Sequence, residues 1–219
     1  LKILSGHGAG VRACAITADG RQLLSASADR TLKLWDLESG HKLDTLSGHT
    51  EAVTACALSR DGAVALSASA DHTLKVWTLT RRRTSAPAHG GEVQACAINA
   101  RGTRVVSGSA DKTLQIWDAS TGERLRTLEG HSAGVNACAL TPDGRRVVSA
   151  SYDRSLKVWD LERGELLSTL TGHAAGVNAC VVSADGKRLL SASYDSTLHL
   201  WDLATGKVLT TFTGHGDFV

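Results

Sequence analysis

Short apolar segments separated by small polar turns run along the whole chain. In the first unit they lie around Cys14, at LLSAS, at TLKLW and after Ser39-Gly40, with turns at Asp19-Gly20 and Asp29-Arg30. Apolar positions are nearly continuous, as at Leu23-Leu24, which is typical of strands that are covered on both faces. No helical period competes with this pattern. The pattern therefore predicts four antiparallel strands in each unit.

This pattern recurs five times at intervals of 40 or 42 residues, which is the mark of a repeat protein. The separation from a Gly-His or Ala-His pair to a tryptophan is 28 residues in every unit, for example from His7 to Trp35. Asp-Gly pairs mark the first turn in four units, and we expect hairpins there because both positions tolerate positive φ. These pairs are Asp19-Gly20, Asp61-Gly62, Asp143-Gly144 and Asp185-Gly186.

The Gly-His start, the Ser-Ala-Ser-x-Asp turn and the Trp-Asp finish of the units resemble the signature of WD-repeat β-propellers over essentially the whole chain. The resemblance implies an all-β propeller of four-stranded antiparallel blades, with five blades present. Propellers of this family typically close with seven blades, so the resemblance implies that the chain is a fragment of a longer, bacterial-type array and part of a larger, seven-bladed propeller. Five blades alone would form an open arc or require partners, unless they close as a five-bladed ring. Blades 1 to 5 are predicted at 6–47, 48–87, 88–129, 130–171 and 172–213. Residues 1–5 are predicted to be the outer strand of a preceding blade, and 214–219 the start of a sixth repeat.

In that family a histidine, a strand serine or threonine, a turn aspartate and the tryptophan form a buried hydrogen-bonded tetrad in each blade. Either serine of each Ser-x-Ser pair is a candidate, because residues two apart in a strand point to the same face. Taking the first serine, the tetrads would be His7, Ser25, Asp29 and Trp35; His49, Ser67, Asp71 and Trp77; His89, Ser107, Asp111 and Trp117; His131, Ser149, Asp153 and Trp159; and His173, Ser191, Asp195 and Trp201.

The same three residue types also form catalytic triads, so hydrolysis is the alternative interpretation of these sets. Their fivefold recurrence with identical spacing favours a structural role, since an enzyme needs one activated nucleophile in a cleft. No nucleotide-binding, zinc-ligand or kinase motif is present. The sequence therefore predicts no catalytic residue, cofactor or metal site. Three further histidines, His41, His72 and His199, are predicted to be solvated or locally packed.

Composition narrows the classes of partner. The net charge is +2, from 24 basic and 22 acidic residues, which favours neither nucleic acid nor a membrane surface as a partner. One cysteine lies in each unit, and all five are predicted to be unpaired core residues, which favours a reducing, cytoplasmic location. The run Arg81-Arg82-Arg83 is either an anion contact or, as we favour, a solvated edge strand.

The family resemblance and the absence of catalytic motifs predict a protein-interaction scaffold. The alternative is a regulatory or sensor module of a larger signalling protein, such as a nucleotide-binding switch protein, a protein kinase or a peptidase. Open blade edges would also permit self-association. The candidate face for protein or peptide partners comprises Arg12, Gln94, Asn136 and Asn178 near the channel, with Tyr152, Arg154 and Tyr194 beside the aspartate turns. For the tyrosines, the alternative is that they only fill space beside the turn.

Overall fold

The computed structural model describes residues 2–59, 62–79, 89–215 and 217, and the backbone of residues 83–87. These residues contain twenty β-strands and no helix. The strands are β1 (Val11–Ile16), β2 (Gln22–Ser27), β3 (Thr31–Asp36), β4 (Lys42–Ser47), β5 (Val53–Leu58), β6 (Val64–Ser69), β7 (Thr73–Thr78), β8 (Arg83–Pro87), β9 (Val93–Ile98), β10 (Arg104–Ser109), β11 (Leu114–Asp118), β12 (Arg124–Leu128), β13 (Val135–Leu140), β14 (Arg146–Ser151), β15 (Ser155–Asp160), β16 (Leu166–Thr171), β17 (Val177–Val182), β18 (Arg188–Ser193), β19 (Leu198–Asp202) and β20 (Val208–Phe212).

Consecutive strands form five four-stranded antiparallel sheets, each ordered as the chain runs. The all-β prediction and the five four-stranded blades are therefore confirmed. The inner strands lie side by side in the order β1, β5, β9, β13 and β17. No contact of similar extent joins β17 back to β1, so the five blades form an open arc.

Alternating side chains of each blade pack against its two neighbours. Between blades 1 and 2, for example, Leu24 and Leu34 pack with Val53, Ala65 and Trp77. We call the side of a blade that meets the next blade its trailing face, and the side that meets the preceding blade its leading face. Four tryptophans lie on leading faces, namely Trp77, Trp117, Trp159 and Trp201, and the buried apolar residues of the protein lie mainly between blades.

The first turn of each blade differs from the two-residue hairpin that an Asp-Gly pair favours. The loop from β1 to β2 has five residues, and its amide at Gly20 donates to the carbonyl of Thr17 over 2.9 Å. Within the loop only Gly20 has positive φ, at 70°, whereas the Asp19 side chain accepts hydrogen bonds from Thr17 and Arg21. The predicted hairpin is confirmed by the antiparallel pairing of β1 with β2, and its five-residue loop has positive φ only at the glycine.

Some predictions fall on the boundaries of the described residues. Asp61, Arg81, Arg82 and Ala88 lie outside them, and of Arg83 only the backbone in β8 is described. Residues 2–5, assigned to the outer strand of a preceding blade, are not in a strand. No helix among the described residues is long and apolar enough to span a bilayer.

Candidate functional site

Each blade brings its histidine, serine, aspartate and tryptophan into one hydrogen-bonded set. In blade 4, Trp159 Nε1 donates to Ser149 Oγ over 2.9 Å, and His131 Nε2 lies 2.8 Å from the same oxygen. His131 Nδ1 lies 2.7 Å from Asp153 Oδ2. The corresponding contacts of the other blades all measure between 2.7 and 3.0 Å. In every blade the serine is the first of its Ser-x-Ser pair.

The second serine holds the aspartate turn to the loop that leads into the inner strand. In blade 4, Ser151 Oγ donates to the carbonyl of Ala133 and accepts from the Asp153 amide, both over 3.1 Å. Equivalent amide contacts recur in the other four blades. The two serines of each pair therefore have separate structural roles on one face of the strand.

Sequence reasoning missed a fifth member of each set, the residue two positions after the aspartate. Its amide and its hydroxyl both donate to the other carboxylate oxygen, as Ser155 does to Asp153 Oδ1 over 3.0 and 2.6 Å. The signal was present in the sequence, because this position holds threonine or serine in all five units. The residues are Thr31, Thr73, Thr113, Ser155 and Thr197.

The hydrogen bonds determine where the protons lie. Burial would raise the pKa of Asp71, but donors from Thr73, His49 and the Thr50 amide outweigh it and lower that pKa to about 2. The carboxylate is therefore an acceptor only, so His49 Nδ1 must donate to it and Nε2 accepts from the Ser67 hydroxyl. Burial lowers the pKa of His49, His89 and His131, which keeps these rings neutral.

We expect the free energy of unfolding to fall in two stages as the pH is lowered. The pKa of His49, His89 and His131 lies below the ordinary 6.5, so the unfolded chain takes up protons first, and their contribution declines below about pH 6.5. Asp71 contributes fully above its ordinary pKa of 3.8, and this contribution is lost as the pH falls through about 2. Urea unfolding followed from pH 8 to pH 2 measures both stages. A stability that stays level from pH 7 to pH 3 would contradict this prediction.

The order of serine, histidine and aspartate is that of a hydrolytic triad, but the serine is inaccessible. Ser149 is fully buried, and its oxygen already accepts the indole N–H of Trp159. A nucleophile needs room for a substrate carbonyl and an oxyanion hole beside it. The tetrad geometry instead satisfies buried polar groups around a large apolar ring.

The glycine of the Gly-His pair leaves space for that ring. At Gly130, φ is 151°, and a Cβ atom there would lie 3.1 Å from Trp159 Cη2. Gly172 approaches Trp201 to the same distance. The short residue thus allows the chain to cross the end of the indole before the histidine turns inward.

Blade 5 differs from the others in the strand position two residues before the tryptophan. In blades 1 and 4 this residue is a lysine that hydrogen-bonds to a threonine, as Lys157 does to Thr169 over 3.0 Å. In blade 5 it is His199, which stacks on His173 with ring centroids 3.9 Å apart. Burial is the main cause that lowers the pKa of His199, which favours a neutral ring at this position. His41 and His72 are exposed.

A polar depression of about 360 Å³ opens where the inner strands meet the loops that carry the histidines. We call its lining the channel-mouth surface: Arg12, Ala52, Thr54, Glu92, Gln94, Asn136, Tyr152 and Asn178. Five of these residues belong to the predicted binding face, whereas Ala52, Thr54 and Glu92 were missed. Thr54 occupies the same inner-strand position as Gln94 and Asn136, so the repeat register was the signal that could have found it.

A β-bulge in each inner strand directs these side chains. Pairing of β1 with β2 skips Arg12, and the equivalent pairings skip Thr54, Gln94, Asn136 and Asn178. Bulges turn a side chain out of the regular alternation. Thr54 and Asn136 then reach the next inner strand, donating to the carbonyls of Val93 and Val177. The oxygen Oε1 of Gln94 is buried and lacks a hydrogen-bond partner among the described residues.

The two tyrosines form a stacked pair beside this surface. The rings of Tyr152 and Tyr194 lie 5.7 Å apart at 13°, and their hydroxyl oxygens are 3.3 Å apart. The hydrogen bond with Tyr194 raises the pKa of Tyr152, and Tyr194 also donates to Asn178. Tyr152 remains 47% exposed. Arg154 does not line the depression, because the turn reverses at this residue, where φ is 72°.

A second depression, of about 550 Å³, lies between the first turns of blades 3 and 4, at the opposite ends of the inner strands. Its charged lining is mixed in sign, with Arg101, Arg104 and Arg145 near Asp143 and Glu162. Arg104 is paired with Asp118 over 2.9 Å. Within the described ranges, no group of three or more histidine, cysteine, aspartate or glutamate side chains is arranged to hold a metal ion.

Comparison with known families agrees with the repeat register. A model of the WD domain, G-beta repeat, matches residues 1–36, 40–78, 81–118, 122–160 and 164–202, which together make up most of the chain. A search of curated proteins found no match. With five matched repeats and five four-stranded blades, the chain belongs to the WD domain, G-beta repeat family.

Proposed function

We propose that the protein is a non-catalytic interaction scaffold that binds protein or peptide partners at the channel-mouth surface. Repeats of this family generally serve protein–protein interaction. The observation that carries the proposal is the position of one bulged side chain from each blade beside the stacked pair of exposed Tyr152 and half-buried Tyr194. Tyrosine supplies a large contact area with little loss of conformational freedom, so such pairs suit a binding surface.

Polar groups at the same surface give it the means to recognise a peptide. Arg12 and Glu92 offer opposite charges, and the buried acceptor of Gln94 lacks a partner among the described residues. An unsatisfied buried acceptor costs free energy that a donor from a ligand would recover. A peptide backbone or a side-chain amide has such donors.

The buried serines support a non-catalytic role, because none of the five tetrads presents its hydroxyl to solvent. We further propose a cytoplasmic location, which suits five free thiols. Protein partners are proposed in preference to nucleic acid or membranes, since the net charge is only +2. Self-association through the open edges is also proposed. A regulatory or sensor module would use the same channel-mouth surface.

Selection from a random peptide display library against the full chain tests the binding surface. We expect enriched peptides to lose about tenfold or more in affinity when Tyr152 is replaced by alanine, because an aromatic anchor at an interface often contributes more than about 1.4 kcal/mol. Arg145→Ala, at the opposite depression, is the matched control and should leave binding unchanged. The proposal would be overturned if the enriched peptides bind Tyr152→Ala as tightly as Arg145→Ala, or if the library yields no enriched peptide.

A further inference from the structure

Two imidazole rings lie side by side in the contact between blades 4 and 5, which we call the joint. His173 belongs to the tetrad of blade 5, and His199 stacks on it with ring centroids 3.9 Å apart and planes inclined by 14°. Both residues are only 7% exposed. The position of His199 holds lysine in blades 1, 2 and 4 and glutamine in blade 3. Blade 5 therefore has a ring that titrates near neutral pH where the other blades have a residue that does not.

The surroundings of His199 suit its neutral form. Its Nδ1 atom is buried and has no hydrogen-bond partner among the described residues. A charged imidazole carries a proton on both nitrogens, so protonation of either neutral tautomer would leave a buried N–H without an acceptor. Such a donor costs free energy, and burial accordingly lowers the pKa of His199. The closed joint thus disfavours a proton on this ring.

The charged and titratable groups that act on His199 belong to blade 5. They are His173, which lowers its pKa, and Asp195, which raises it. The residues paired with His199 on β18 and β20 are the neutral Ser191 and Thr211. The trailing face of blade 4 contributes apolar side chains to the core of the joint: Val148, Ala150, Leu156, Val158 and Leu170. A proton on each ring would therefore place two like charges 3.9 Å apart beside an apolar surface, with one carboxylate to balance them.

The same joint carries the tyrosine pair of the binding surface. Tyr152 belongs to blade 4 and Tyr194 to blade 5, and a Cβ atom at Gly176 of blade 5 would lie 3.0 Å from Tyr152 Cδ1. His173 Nδ1 lies 2.9 Å from Asp195 Oδ2, and Asp195 directly follows Tyr194 in the aspartate turn. A loss of packing between blades 4 and 5 would therefore separate the two tyrosine rings.

We propose that the stacked rings of His173 and His199 make the joint acid-sensitive, so that it holds blades 4 and 5 together near neutral pH and loosens in acid. The sign follows from the charge on His199, because the closed joint favours the neutral ring and a loosened joint exposes the ring to water. Protons therefore shift the population towards the loosened joint below the ordinary histidine pKa of about 6.5. A further consequence, which rests on the proposed function, is that channel-mouth ligands bind more weakly in acid.

Cysteine thiols on the inner strands provide a direct measure of the joint. Cys180 of blade 5 donates to the carbonyl of Val148 in blade 4, and Cys138 donates to that of Val106 between blades 3 and 4, both over 3.8 Å. Cys14 lies in blade 1, where no described blade covers the leading face, and is exposed. The prediction that all five cysteines are core residues was therefore wrong for Cys14, because the cover of these thiols comes from the preceding blade.

Labelling of the full chain with a pyridyl disulfide between pH 8 and pH 5, read by peptide mass spectrometry, tests the joint. Burial raises the pKa of Cys180 to about 12 and also raises that of Cys138, so both thiols titrate far above this range. The ratio of the Cys180 rate to the Cys138 rate is then independent of the thiol equilibria. We expect this ratio to rise about threefold or more from pH 8 to pH 5. A ratio that stays level would overturn the proposal.

His199→Gln and His199→Lys place at this position residues that the other blades already carry. Neither side chain titrates between pH 5 and pH 8. The lysine should donate to Thr211, as the equivalent lysine of blade 4 does to its threonine, so its charge would lie away from His173. We expect both variants to fold and to show a level rate ratio. A variant whose ratio still rises in acid would overturn the role of His199.

The affinity of an enriched channel-mouth peptide at pH 8 and at pH 5.5 tests the consequence for binding. We expect the loss of affinity in acid to be about threefold greater for the original chain than for His199→Gln, since that comparison cancels any titration of the peptide. A rate ratio that rises while the two chains lose affinity equally would overturn the link to the channel mouth. If no peptide binds at any pH, the proposed function fails, whereas the rate ratio still decides whether the joint is acid-sensitive.

Discussion

Replacement of Trp159 by alanine should destabilise the protein by about 3–5 kcal/mol, the usual range for removing a buried aromatic side chain. Trp159 is 2% exposed and packs with Val106, Leu114 and Ile116 of blade 3. The change leaves a cavity between two blades and removes the donor to Ser149. Thermal unfolding, in which 1 kcal/mol corresponds to roughly 2–4 °C at this chain length, measures the loss.

Trp35→Ala is the matched control for that prediction. Trp35 donates to Ser25 over 2.8 Å, as Trp159 does to Ser149 over 2.9 Å, and it is only 3% exposed, but it lies outside the four interblade cores of the described residues. Both variants lose one indole donor, so the difference between them isolates packing against a preceding blade. We expect Trp35→Ala to reduce the free energy of unfolding by at least about 1 kcal/mol less than Trp159→Ala does. Equal losses would show that interblade packing does not set the stability.

The strands and their grouping into blades could be predicted because each blade is built from local hairpins. Antiparallel neighbours in the chain are also neighbours in the sheet, so one repeat of 40 to 42 residues contains the whole pairing pattern. Because the pattern recurs five times, a unit can be recognised even where single residues depart from it. Thr78 and Ala88, for example, replace the usual aspartate and glycine. The turn geometry could not be predicted so closely, since Asp19-Gly20 suits several loop lengths.

The choice between the two serines needed coordinates. Ser149 and Ser151 point to the same face, so periodicity treats them alike. The structure separates them by what lies opposite: the indole and imidazole at Ser149, and the loop carbonyl of Ala133 at Ser151. The position of each serine along the strand decides which groups it meets. The two-residue period of a strand identifies the face of a side chain but not this position.

Four of the five bulged inner-strand residues at the channel mouth were predicted from the sequence, but Thr54 was missed although it shares their repeat register. Asn136 and Asn178 were identified because equivalent positions of neighbouring blades lie side by side. Glu92 and Ala52 come from loops, where side-chain direction depends on the bulge that follows, and a sequence does not mark a bulge. Arg154 was placed on this face because it is two residues from Tyr152, but the turn between them separates the two side chains.

Replacement of Asp153 by alanine is expected to lower the unfolding temperature by roughly 6–12 °C, equivalent to about 3 kcal/mol at this chain length. The carboxylate accepts hydrogen bonds from His131, from the Ser132 amide, and from the amide and hydroxyl of Ser155. His131 and Ser155 are buried, and each buried donor without a partner costs about 1–3 kcal/mol. Thermal unfolding followed by circular dichroism measures the change.

Asp185→Ala is the control, because it removes a turn aspartate with a similar role in an exposed position. Asp185 accepts from the Ser183 hydroxyl and the Lys187 amide, and water replaces it there at little cost. We expect this variant to remain within about 1 kcal/mol of the original protein. If the two substitutions lower the free energy of unfolding equally, the tetrad carboxylate contributes no more stability than an ordinary turn aspartate. A large difference would mean that the buried network fastens the aspartate turn to the inner-strand loop, and so holds Tyr152 in place at the channel mouth.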